Sequence, residues 1–81
     1  MSYKELFFAQ VFAFDKKNRL IAGRIYPAIS ADDAKGKARR LATLHAGVIA
    51  FSQNVDESAE DAQEPVLLAY HGNVPPEAVA A

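Results

Sequence analysis

The longest apolar run in the chain is LFFAQVFAF, residues 6–14, interrupted only by Gln10. A strand with one face in water alternates apolar and polar residues, whereas a strand buried on both faces is apolar at nearly every position. The run therefore predicts a central strand, over residues 5–14. DKKN, 15–18, is a polar turn built from residues that turns favour. RLIAGRIYP, 19–27, is a second strand that Pro27 ends, and the two form a hairpin with a four-residue connection. Residues 30–46 carry a helical pattern. Ala31, Ala34, Ala38, Leu41, Ala42 and His45 fall on one side, Ser30 is the N-cap, and Asp32 and Asp33 stand in the first turn, where the helix dipole favours acids. Ser30 with Asp33 approximates a capping box, and Gly47 is the expected stop. VIAFSQNV, 48–55, and PVLLAYHG, 65–72, are further strands. DESAEDAQE lies between them as an acidic loop, and NVPPEAVAA follows as a tail in which Pro75 and Pro76 open a last helical turn.

The order ββαββ defines an α+β domain over 1–73 with a tail at 74–81. If the third strand lands beside the first, the sheet is four-stranded and antiparallel in the order 2-1-3-4, with the apolar run in the middle. Pairing Phe14 with Arg19 puts Leu6, Phe8, Phe12, Phe14, Ile21 and Ile25 on one face, together with Ile49 and Phe51. Phe7, Ala9, Val11, Ala13, Leu20, Ala22, Arg24 and Tyr26 share the other with Val48, Ala50 and Ser52. The bulky first set suits the alanine stripe of the helix. The second face is then left open, and Phe7, Val11, Leu20, Arg24 and Tyr26 become the expected contact residues of a homodimer or of another protein partner. The competing expectation is that the tail folds back over that face.

With 81 residues the chain makes one domain, and such a chain buries only roughly 60% of its unfolded surface. It has no cysteine, so stability must come from core packing or self-association. No signal peptide and no apolar run of membrane-spanning length is read, and a cytoplasmic location is expected. The net charge of −1 hides a division: residues 1–50 hold all nine bases and four acids, and residues 51–81 hold six acids and no base. Lys35, Lys37, Arg39 and Arg40 on the helix, with Lys16, Lys17 and Arg19 in the turn, could neutralise phosphates, which gives nucleic acid as a second partner class. The acidic stretch 56–64 gives a third, a basic host protein bound by a phage-type inhibitor. His45 and His71 lie far apart in sequence with no carboxylate at helical ligand spacing, so no metal site is expected. The serines form no nucleophile elbow and the four glycines no phosphate loop. Asp32 and Asp33 are adjacent and diverge on a helix. No catalytic residue and no cofactor is expected, and the chain reads as a non-enzymatic interaction protein.

The stretch from Ala28 to Glu77 resembles short bacterial proteins of no assigned activity, found also in prophage and mobile-element regions. The residues carrying this are the small-residue helix opening after Ser30, then AGVIAFS, the acidic stretch, and EPVLLAYHG followed by VP. The resemblance implies a bacterial cytoplasmic origin and supplies no site residues.

Overall fold

In the computed structural model, which describes residues 3–56 and 64–79, Asp15 organises the first turn. Its Oδ1 accepts from the backbone N–H groups of Lys17 and Arg19 at 2.8 Å each, and its Oδ2 accepts from Arg19 Nε at 3.0 Å. These bonds, led by that from the Arg19 backbone, hold the Asp15 carboxyl below its ordinary pKa. Asn18 takes a left-handed conformation (φ 62°), which Asn tolerates better than most residues. Asp15 N–H donates to Arg19 O, so the connection proper is Lys16–Asn18. Phe14 consequently pairs with Leu20, not Arg19. A three-residue connection with a left-handed third residue is a common hairpin solution.

The turn joins β1 (Tyr3–Phe14) to β2 (Leu20–Ala28). A bulge then restores the expected phase. Phe12 pairs with Ala22 and Gln10 with Ile25, so Gly23 and Arg24 together oppose Val11. A Cβ on Gly23 would lie 3.0 Å from Val11 Cγ2, a tight contact for which Val11 would have to give by a few tenths of an ångström. Pro27 does not end β2. It pairs with Phe8 on an edge strand, where a missing N–H is tolerated, and its carbonyl accepts from Lys37 Nζ at 2.9 Å.

Helix α1 (Ala31–Leu41) begins at Ser30, whose Oγ accepts from Asp33 N–H at 3.0 Å. Asp33 Oδ2 reaches back to Ile29 N–H, one residue before the cap, and to Lys37 Nζ, each at 3.0 Å. The bond from Ile29 first, then Lys37, holds the Asp33 carboxyl below its ordinary pKa. The helix stops at Leu41, short of the expected 46. Thr43 and Leu44 N–H groups bond three residues back, and Thr43 Oγ1 also takes the Arg40 carbonyl at 2.8 Å. This tightens the last turn and ends the ladder. Gly47 is therefore not a helix stop but the first residue of β3 (Gly47–Asp56). It is paired with Gly72 at the end of β4 (Val66–Gly72). Gly72 has φ +70°, and a Cβ on Gly47 would collide with the Asn73 backbone, so only glycine fits this backbone approach. A short helix, α2 (Pro76–Val79), follows within the expected tail and touches β4.

The sheet is antiparallel in the order β2-β1-β3-β4, with the apolar run of β1 in its interior. β2 and β3 both run opposite to β1, so β2–α1–β3 is a crossover between parallel strands with β1 between them. The helix covers the face expected to be open. Ala9, Val11, Val48 and Ala50 are buried with Ala34 and Ala38 of α1, and Phe7, Tyr26, Ala28, Leu41, Ala42, Leu68 and Ala69 pack around them. Volume matching of bulky strand residues to a small-residue helix suggested the opposite. The difference has a geometric cause. Crossovers of this kind are right-handed almost without exception. Once the turn sets which β1 residues bond to β2, backbone chirality sets the side their side chains take, and the helix can lie over only one face. Alanine then meets alanine: Ala9, Ala34, Ala38 and Ala50 have no exposed surface, and the helix seats close to the sheet.

Candidate interaction surface

The uncovered face is built in rows across the strands. Leu20 pairs with Phe14, and Ala22 with Phe12 and Gly47. Ile25, Gln10, Ile49 and Tyr70 form a third row, and Pro27, Phe8, Phe51 and Leu67 a fourth. None of these residues is charged. The Phe8 and Phe51 rings stack at 5.3 Å between centroids, with 30° between their planes. Phe14, Ile25 and Tyr70 are about half exposed, at 49%, 48% and 55%. Phe12 and Ile49 are buried; the Asn73 backbone occupies the place of a Gly47 Cβ in the Phe12 row, and α2 stands beside Ile49, so the middle of this face is already covered by the chain that follows β4. On the helix side the largest fully buried side chain is Val48, so the aromatic bulk of the sheet lies on the side the helix leaves bare.

One flank of this face is raised. Ala78 and Val79 of α2 stand beside β4 and, with Ile49, Phe51 and Leu67 of the sheet, enclose a groove of about 980 Å³. Gln10 reaches the groove from β1, and Glu64 and Glu77 supply its carboxylates. The tail thus covers the β3–β4 side of the face and leaves the β2 side bare, where Ala22 and Ile25 are exposed.

The expected contact set divides. Val11 is buried at 4%, and Phe7 and Tyr26 pack against the same core under α1, so these three cannot form an open surface, and that expectation is corrected. Arg24 lies on the helix side, its guanidinium 5.4 Å from the centre of the Tyr26 ring, in the range of a cation–π contact. Leu20 alone stands on the bare face, moved there by the turn register. The residues overlooked on this face are Phe14 and Ile25, about half exposed, with Phe8 and Phe51 partly buried beside them. Their signal was present as an apolar row in every second position, but it was assigned to the core.

The basic set divides as well. Lys37 is bound to Asp33 and to the Pro27 carbonyl, and Arg19 is paired with Asp15. Lys35, Arg39 and Arg40 are exposed. Most of the expected acidic loop lies outside the described residues; Glu64 is exposed at its end. His45 and His71 are half-buried on separate elements, and among the described residues no three potential ligands gather as a metal site. No helix among the described residues is long and apolar enough to cross a membrane. No family model, curated protein or solved structure matches the chain.

Proposed function

We propose that the protein is a small non-enzymatic interaction module whose bare sheet face binds a second copy of the chain. The observation that carries this reading is the asymmetry of the sheet: the helix covers the small residues, and on the other, uncharged face Phe14, Ile25 and Tyr70 stand about half exposed. Four strands about 4.8 Å apart and some eight residues deep give a footprint of about 500 Å² before side-chain relief is counted. That exceeds the roughly 400 Å² per partner of casual contacts and is below the roughly 800 Å² of standard specific pairs, the range of a weaker self-association. A second copy brings strand rows that are equally apolar, and the carboxylates beside the groove, Glu64 and Glu77, are exposed at its rim, where they can stay in water. The nucleic-acid reading has less support, because Lys37 and Arg19 each share their charge with an aspartate of the same chain.

Phe14→Glu tests the proposal. Phe14 is half exposed at one end of the sheet, so the variant keeps its fold. Light scattering should give twice 8.8 kDa for the parent chain and 8.8 kDa for the variant at equal concentration. A parent chain that stays monomeric, or a folded variant that stays dimeric, would sink the assignment.

A further inference from the structure

A symmetric face-to-face pair can be built on two in-plane two-fold axes, and the shape of the face chooses between them. An axis across the strands stacks β4 on β4 and β2 on β2. Both α2 helices then crowd one flank, and the bare β2 flanks are held apart in a wedge. An axis along the strands reverses each row over its own copy, so β4 of one copy lies over β2 of the other. The raised flank then meets the bare flank on both sides, an isologous and closed arrangement. Row order is kept by this operation. Ile25 of one copy falls over the Ile49–Tyr70 end of the same row in the other, which borders the groove beside α2. Phe8 falls over Phe51, so the two stacked ring pairs join at the centre of the interface.

Building on the self-association proposed above, we infer that the two-fold axis runs along the strands and that Ile25 of each copy enters the apolar part of the groove formed by Ile49, Phe51, Leu67, Ala78 and Val79 of the other. The ligand of the groove is thus an aliphatic side chain from a second copy, and α2 is the socket wall that sets the orientation. Ile25 fits this part because it is half exposed and stands on the flank opposite α2. Within one copy, Ile25 and the β4 flank are three strand spacings apart, about 14 Å, so Ile25 cannot occupy its own groove.

The chain has no cysteine of its own, which makes directed cross-linking clean. Chains carrying Ile25→Cys and chains carrying Ala78→Cys are mixed, allowed to exchange, and treated with a short bis-maleimide. The expected result is a band at twice 8.8 kDa from the mixture and from the double variant, and none from either single variant alone. A band from Ile25→Cys alone would place β2 over β2 and overturn the inference. A chain that sediments as a dimer but gives no band in the mixture overturns it too and leaves the self-association standing. A chain that sediments as a monomer removes both.

Discussion

The two faces of the sheet are made from alternate residues of the same strands, and they solve opposite problems. Under the helix, Ala9 and Ala50 meet Ala34 and Ala38 with no surface left exposed. Little apolar area per residue is buried there, but the helix backbone approaches the sheet closely. On the other side the side chains are larger: Phe12 and Ile49 are buried, but Phe14, Ile25 and Tyr70 remain about half exposed. Hydrophobic stabilisation scales with area removed from water, roughly 25 cal/mol per Å². The larger part of what this sheet can still gain therefore lies outside the isolated fold. An alanine seam holds the helix in place, and the large side chains that stay exposed stand on the opposite face.

Enlarging each face should break that symmetry of treatment. Ala38→Leu pushes a side chain into the closed seam and should cost about 1–3 kcal/mol, read as a lowered midpoint in urea. Ala22→Leu enlarges an exposed position on the bare face and should move stability by less than about 0.5 kcal/mol. Equal losses would mean that the bare face is as closed as the seam. A smaller effect is expected on the outer side of α1. Gly36 has only Arg40 near a built Cβ, at 3.5 Å, and nothing in the structure requires glycine there. Gly36→Ala should raise stability by about 0.5–1 kcal/mol, and a loss in the same titration would point to an unseen contact on that side.

The smallest effect concerns the helix start. The folded-state pKa of Asp33 is depressed by the bonds from Ile29 and Lys37. Its stabilisation is therefore complete above the unfolded value, about 3.9, and fades as pH falls through the folded one. The Tm of the parent chain should exceed that of Asp33→Asn at pH 6, and the gap should narrow below about pH 4. A gap that holds unchanged at pH 2 would show that the carboxylate charge is not what the cap uses.

Much of the fold was legible from patterning. The apolar run of β1 marked the central strand, Ser30 marked the helix start, and the element order led to the β2-β1-β3-β4 sheet. The helix end was not legible, because the tight turn at Thr43 depends on a side-chain bond to Arg40 inside a stretch whose apolar spacing still looks helical. The strand role of Pro27 was hidden for a related reason: proline is excluded from ladders only where its N–H would be needed, and an edge strand does not need it.

The candidate surface was the part least readable in one dimension. Alternation divides Phe7, Val11 and Tyr26 from Phe8, Phe12 and Ile25 correctly, because the bulge at Gly23 and Arg24 restores the phase that the turn at Asp15 shifts. It does not say which set meets the helix. The sequence by itself determined the strands, the helix start, the sheet order and two apolar faces, since these follow from local propensity and the two-residue repeat. Only the tertiary structure decided which face is bare. That choice depends on the handedness of the β2–α1–β3 crossover acting through the register of one turn, and neither is a property of any single residue.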